Sequence, residues 1–145
     1  MLRLNPVAEP YWLDLAPGVR VLVDPCSSAL MVAARSTPEV EAVALDGSEH
    51  EQALVFAKAI ARIAIRDWEG VGDLAGNPVA PTPALIAALL DLYPNFERFQ
   101  VDYVGRGLML EAEKNALSPA PSGTSARATP IAVPAAEPAP TAPTA

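Results

Sequence analysis

Residues 48–66 read SEHEQALVFAKAIARIAIR, and their spacing decides the fold class. Ser48, with Glu51 three positions on, has the capping-box arrangement. The hydroxyl accepts from an orphan amide of the first turn, and the carboxylate reaches back to the cap's own amide. Beyond this start, Ala53, Phe56, Ala57, Ile60, Ile63 and Ala64 recur at i, i+3, i+4 and i+7, a stripe down one face of an α-helix. Lys58, Arg62 and Arg66 fall elsewhere on the cylinder. The pattern predicts a helix from Ser48 to about Arg66, and the alanines of its buried face allow close helix approach.

Upstream, residues 27–35 read SSALMVAAR. Ser27 or Ser28 caps a short helix that holds Leu30, Met31 and Ala34, and Pro38 interrupts it. Residues 11–24, YWLDLAPGVRVLVD, carry two short runs around a Pro17-Gly18 turn signal. Val19, Val21 and Val23 alternate with Arg20, Leu22 and Asp24, the period of a strand with one apolar face. A β-hairpin is expected. An isolated hairpin is marginal in water, so this one should pack on the helices or pair with a third strand.

Downstream, residues 67–83, DWEGVGDLAGNPVAPTP, form a turn-rich connector. Trp68 and Val71 on one side and Val79 on the other predict a second short hairpin. Thr82 then caps a helix with Pro83 at its first position, where the missing N–H costs nothing. Leu85, Ile86, Leu89, Leu90 and Leu92 fill its buried face. Pro94 ends that helix and Asn95 caps the last one, in which Phe96, Phe99, Tyr103, Gly107 and Leu110 form a stripe. Glu111 and Glu113 lie at the unfavourable end of the helix dipole, so that end is expected to fray.

Composition changes sharply near Leu117. Residues 118–145 are more than half Ala and Pro, have no aromatic residue, and carry only Arg127 and Glu137 as charges. Such a segment buries too little surface to offset the entropy of ordering. The expected class is therefore α+β, mostly α. Residues 1–117 should form one mainly helical domain with one or two short β-hairpins, and residues 118–145 a disordered tail.

The chain has 145 residues and a formal net charge of -7. No Lys/Arg cluster is present to neutralise phosphates, so nucleic acid is an unexpected partner. An acidic surface also disfavours anionic membranes, and no apolar run reaches the roughly 20 residues that span a bilayer. The N-terminal MLRLNPVAEPYWLDL lacks a signal-peptide apolar region. The expected location is cytoplasmic. Cys26 is the single cysteine and reads as a small half-buried residue near a helix start.

The chemistry-bearing residues make no constellation. His50 is the only histidine and stands among Ser48, Glu49 and Glu51, the context of a solvated first-turn residue rather than a general base. No His/Cys set has zinc spacing. Ser122–Ser125 lack the second glycine of a nucleophile elbow. Gly70, Gly72 and Gly76 do not match a phosphate-binding fingerprint. Asp67, Glu69 and Asp73 are the best acidic cluster, without the spacing of a calcium loop. The expectation is a protein that binds another protein, with no catalytic residue, no metal and no cofactor.

Residues 65–126 carry a resemblance. Asp67, Trp68, Glu69, Gly70 and Val71 follow a helix. An acidic-Gly turn from Asp73 to Pro78 comes next, then a Thr-Pro helix start and a Leu-rich helix from Thr82 to Leu90. The closing Glu113-Lys114-Asn115, with Ser118-Pro119 and GTSA downstream, resembles related prophage proteins. Together these elements resemble the tail assembly chaperones of long-tailed bacteriophages over less than half of the chain. The resemblance implies binding of the tape measure protein, and possible contact with tail tube subunits, before the tube polymerises. A groove beside the last helix, near Phe96, Phe99 and Tyr103 with Trp68 at its edge, is the expected partner-binding site. The alternative is a structural virion component, such as a head–tail connector or minor tail protein.

Overall fold

A computed structural model of the chain describes residues 8–109 together with residues 1, 3 and 4. The chain divides into two units, Met1–Leu108 and Met109–Ala145, and every element below belongs to the first. The architecture is α+β and mostly α, as the periodicities predict. The expected disordered tail over 118–145 and the fraying helix end at Glu111 and Glu113 lie outside the described residues.

Strands β1 (Tyr11–Ala16) and β2 (Val19–Val23) form the expected hairpin, with Tyr11 opposite Val23 and Leu13 opposite Val21. Gly18 holds a positive φ of 79° in its turn, a conformation that glycine adopts without Cβ strain. A third strand, β3 (Ile65–Glu69), pairs antiparallel with β2, which places β2 in the centre of a three-stranded sheet. One face is apolar: Leu15, Val21, Val23, Ile65 and Trp68 are buried. The other carries Arg20, which pairs with Glu69 at 2.7 Å and lies 4.4 Å above the Trp12 ring.

The α-helical elements among the described residues include α1 (Ser28–Arg35), α2 (Pro38–Asp46), α3 (Glu49–Ala64), α4 (Pro83–Asp91) and α5 (Tyr93–Phe99). A π-helical stretch, Gln100–Gly105, continues α5. The capping box of α3 is complete: Ser48 Oγ accepts from the Glu51 amide, and Glu51 Oε2 accepts from the Ser48 amide. Ser27 and Thr82 cap α1 and α4 through the hydroxyl alone, which accepts from the Leu30 and Leu85 amides. α3 is the central element. α1, α2, α4, α5 and β3 all pack on it, so Ala59 and Ala61 are buried although they lie off its main stripe. Ile63, assigned to that stripe, is 40% exposed in the last turn.

Several expectations change. The central helix stops at Ala64 rather than Arg66, because the open edge of β2 recruits Ile65–Glu69 into the sheet. Pro38 opens α2 rather than merely interrupting α1, since a proline in the first turn loses no helical hydrogen bond. The second hairpin is reduced to a single bridge, Gly72 to Pro78, flanked by two amide bonds, Val79 N–H to the Val71 carbonyl and Asp73 N–H to the Asn77 carbonyl. Pro78 has no N–H to extend the ladder. Asn95 does not cap the last helix. Its side chain is buried and Nδ2 donates to the Leu89 carbonyl, tying α5 to α4.

Candidate functional site

Two neighbouring hollows flank the N-terminal half of α3. One, of about 330 Å³, lies under α2 and is walled by Val40, Val43 and Ala44, with Phe56 and Arg35 at its side. The other, of about 520 Å³, lies between α3, α4 and α5 and is walled by Leu54, Leu90, Tyr93 and Phe96, with His50 and Asp91 at its rim. Ala53 and Gln100 line both, and the two neighbouring hollows are together called the trough.

The local sequence explains why the trough stays open. The capping box fixes where α3 begins and hence which residues face outward in its first turns. Ala53, which lines both hollows, presents one methyl group and leaves room above it. α2 carries Val40 and Val43 as its only half-buried apolar side chains and buries none completely. Pro94 sits in the first turn of α5, which starts only two residues after α4 ends. That tight corner leaves Tyr93 67% exposed on the wall. The Tyr93 and Phe96 ring centroids stand 6.3 Å apart at 52°, a tilted aromatic pair.

Polar groups around the trough are unevenly distributed. Between positions 39 and 51 stand Glu39, Glu41, Asp46, Glu49 and Glu51, all exposed, with His50 and no Lys or Arg. Arg35 lies over the Phe56 ring at 5.6 Å, and Lys58 pairs with Asp91. The floor holds one unusual atom. Gln100 Oε1 is buried and has no hydrogen-bond partner among the described residues. Buried polar atoms are nearly always paired, so this acceptor stands out in an otherwise apolar surface.

The four residues expected at a partner site separate. Phe96 is half-buried and lines the trough. Phe99 and Tyr103 do not: both are buried, with rings stacked 5.0 Å apart at 14°. The Tyr103 hydroxyl donates to the Asp24 carbonyl at 2.6 Å, and burial raises its pKa well above the ordinary phenol range. Trp68 is not at the trough edge. It is 6% exposed, and its Nε1–H donates to the Val79 carbonyl at 2.6 Å, anchoring the connector to the sheet. An aromatic stripe on the last helix thus turns mostly inward, because the sheet supplies it with an internal partner.

Tyr93, Leu54, Leu90, Val40, Val43 and Gln100 are trough residues that the sequence reading did not select. Val40 and Val43 carried a signal, an i, i+3 pair behind a Thr-Pro helix start. Leu54 lies off the stripe of α3 and carried none.

A family model, the YdaY prophage protein, matches residues 25–115. The chain belongs to this prophage family. The matched span contains α1 through α5 and β3 and hence the entire YdaY-family trough, while β1 and β2 precede it. No curated protein and no solved structure matches the chain. Two further facts concern chemistry and location. Among the described residues of this YdaY-family chain, no group of three or more His, Cys, Asp or Glu side chains is placed to hold a metal ion. No helix among them is long and apolar enough to cross a membrane.

Proposed function

We propose that this prophage protein is a tail assembly chaperone that binds the tape measure protein, and that it acts by binding rather than by turnover. The observation that carries the reading is the apolar trough across α3. Large apolar side chains, Leu54, Leu90, Tyr93 and Phe96, stand around a hollow that no described side chain fills. Exposed apolar surface of this kind marks interaction sites on globular proteins, and a groove between helices is a standard seat for an amphipathic helix. Tape measure proteins are long, helical and prone to aggregate, so masking one apolar face keeps them separate until tube subunits displace the chaperone. The prophage family supports the phage setting.

The test is co-expression of the full chain with the tape measure protein of the same prophage. The tape measure protein should become more soluble and co-purify with the chaperone, and mature particles should lack the chaperone. Stoichiometric presence in particles, with no affinity for the tape measure protein, would replace this reading with that of a structural virion component.

A further inference from the structure

We infer that the outer face of the three-stranded sheet docks a basic helix of a partner protein, which lays apolar side chains on Trp12 and Leu22 and brings its cations to Asp14 and Asp67. This surface is separate from the trough, and the inference does not rest on the chaperone reading.

The register of the sheet builds the face. Trp12 lies opposite Leu22 and Leu22 opposite Asp67, and in the next row Asp14 lies opposite Arg20 and Arg20 opposite Glu69. Residues two apart on a strand share a face, so these six side chains stand together on the side away from Val21, Val23 and Trp68. Asp14, Asp67 and Glu69 are exposed, Trp12 is 38% exposed and Leu22 is half-buried. The face is therefore open among the described residues.

An antiparallel sheet commonly turns one polar face to water. This one instead sets a tryptophan beside a leucine. The indole is also held in place. The Arg20 guanidinium lies 4.4 Å above its ring and is fixed from the other side by Glu69 at 2.7 Å. A large aromatic that is already immobile loses little entropy on binding, and tryptophan is among the commonest energetic anchors of interfaces.

Charge selects the occupant. The two rows carry three carboxylates, Asp14, Asp67 and Glu69, against one guanidinium, Arg20, whose Nε–H is committed to Glu69. The neighbouring Arg66 pairs with Asp24. A second copy of this chain would bring the same negative face against itself, and anionic polymers and membranes are repelled alike. A partner bearing Lys or Arg is attracted, and rim charges of this kind set partner choice and association rate.

Spacing selects its form. Asp14 and Asp67 lie two strands and one row apart, about 12 Å at ordinary sheet spacings. In an α-helix, residues i and i+7 lie on one face about 10.5 Å apart, with i+3 and i+4 between them. Long lysine stems cover the difference. A helix also satisfies its own amides and can rest on a face, whereas an extended segment needs a sheet edge.

The test uses the full chain and labelled synthetic peptides of about 20 residues, long enough to be helical. The reference peptide has Lys at i and i+7 and Leu at i+3 and i+4 on an Ala/Gln background. A second has Glu in place of both Lys. Fluorescence anisotropy should show the Glu peptide binding at least about tenfold more weakly, with the gap shrinking as salt rises past roughly 0.15 M. The double variant Asp14→Asn/Asp67→Asn keeps the shape of both side chains and the Asp67 Oδ1 acceptor that the Trp68 amide uses. It should melt like wild type and bind the reference peptide about three- to tenfold more weakly. Ala53→Arg, which puts a long side chain into the trough, should leave that binding unchanged.

No binding of the reference peptide, equal or tighter binding of the Glu peptide, or undiminished binding by the double variant would each overturn the inference. So would loss of reference-peptide binding in a folded Ala53→Arg, which would place the peptide in the trough.

Discussion

Phe96 and Phe99 lie one turn apart on the same short helix, yet they belong to two differently built regions. Phe99 faces the sheet side of the molecule, where it stacks on Tyr103 and is sealed by the core around Ile60, Val21 and Val23. Phe96 is half-buried and lines the hollow between α3, α4 and α5, beside Tyr93. Identical side chains thus serve cohesion in one region and present contact surface in the other. The lesson is that an aromatic stripe at helical spacing does not announce its role. The role depends on which neighbours the rest of the chain brings to each face.

Substitutions that separate the two regions follow, beginning with the largest effect. Ile60→Asp places a carboxylate in the fully buried centre of α3. An unpaired buried charge costs several kcal/mol, comparable with the total stability of a small domain at about 5–15 kcal/mol. The cooperative thermal transition should be lost, and a melting temperature equal to wild type would show that α3 is not the core.

Phe99→Ala should cost about 3–5 kcal/mol, the range for a large aromatic truncated in a packed core. Phe96→Ala should cost only about 1–2 kcal/mol, in keeping with its partial burial, while weakening partner capture by about 2 kcal/mol if it is a central anchor. Denaturant melts of both variants, read beside a pull-down, decide the contrast directly. Equal stability losses would erase it.

Tyr103→Phe keeps the stacked ring and removes one hydrogen bond, leaving the Asp24 carbonyl without that donor. The expected loss is about 1–2 kcal/mol, a fall of roughly 4–15 °C in melting temperature for a domain of this size. Gln100→Leu works in the opposite sense. It replaces an unsatisfied buried acceptor with an apolar group of similar volume and should leave the melting temperature unchanged or raised. A trough residue whose removal helps stability is the signature of surface kept for a partner.

The smallest effect concerns acid. Amide donors from Asn77, Ala75 and Gly76 and the Asn77 side chain stabilise the charged form of Asp73, so its pKa lies below the ordinary aspartate range. A depressed folded pKa means that the stabilisation is present above the unfolded value and is lost as pH falls through the folded one. The amide shifts of Ala75 and Asn77 should titrate with a midpoint below that of an unperturbed aspartate, and Asp73→Asn should abolish the titration. Trough resonances should not follow it.

What was legible in the sequence was local. The capping box at Ser48, the Thr82-Pro83 start and the valine alternation of β2 each act within a few residues, and all three stand in the structure. What was not legible depends on partners distant in sequence. IRDWE looks like a helix end running into a connector, and becomes a strand only because β2, more than forty positions earlier, offers it an open edge. Trp68, at a helix end beside glycines, reads first as a core anchor and second as a partner contact, and it is buried because that strand carries it onto the sheet's apolar face. Gly70 shows the same dependence. Its positive φ is 82°, and a Cβ there would run into the Gly18 carbonyl of the hairpin turn. α2 was missed because Pro38 reads equally well as a stop or a start. The trough itself draws residues from α1 to α5 and the π-helical stretch, and of these only Phe96 was selected as a partner contact.

The central claim is that the trough captures a helical partner, the tape measure protein. Co-expression of that protein with the wild-type chain and with Ala53→Arg, followed by affinity purification and a melt of each chain, tests it most directly. The account predicts a stable complex with wild type and its loss in a variant that remains folded. A complex retained in full by Ala53→Arg, or no complex with either chain, would contradict it.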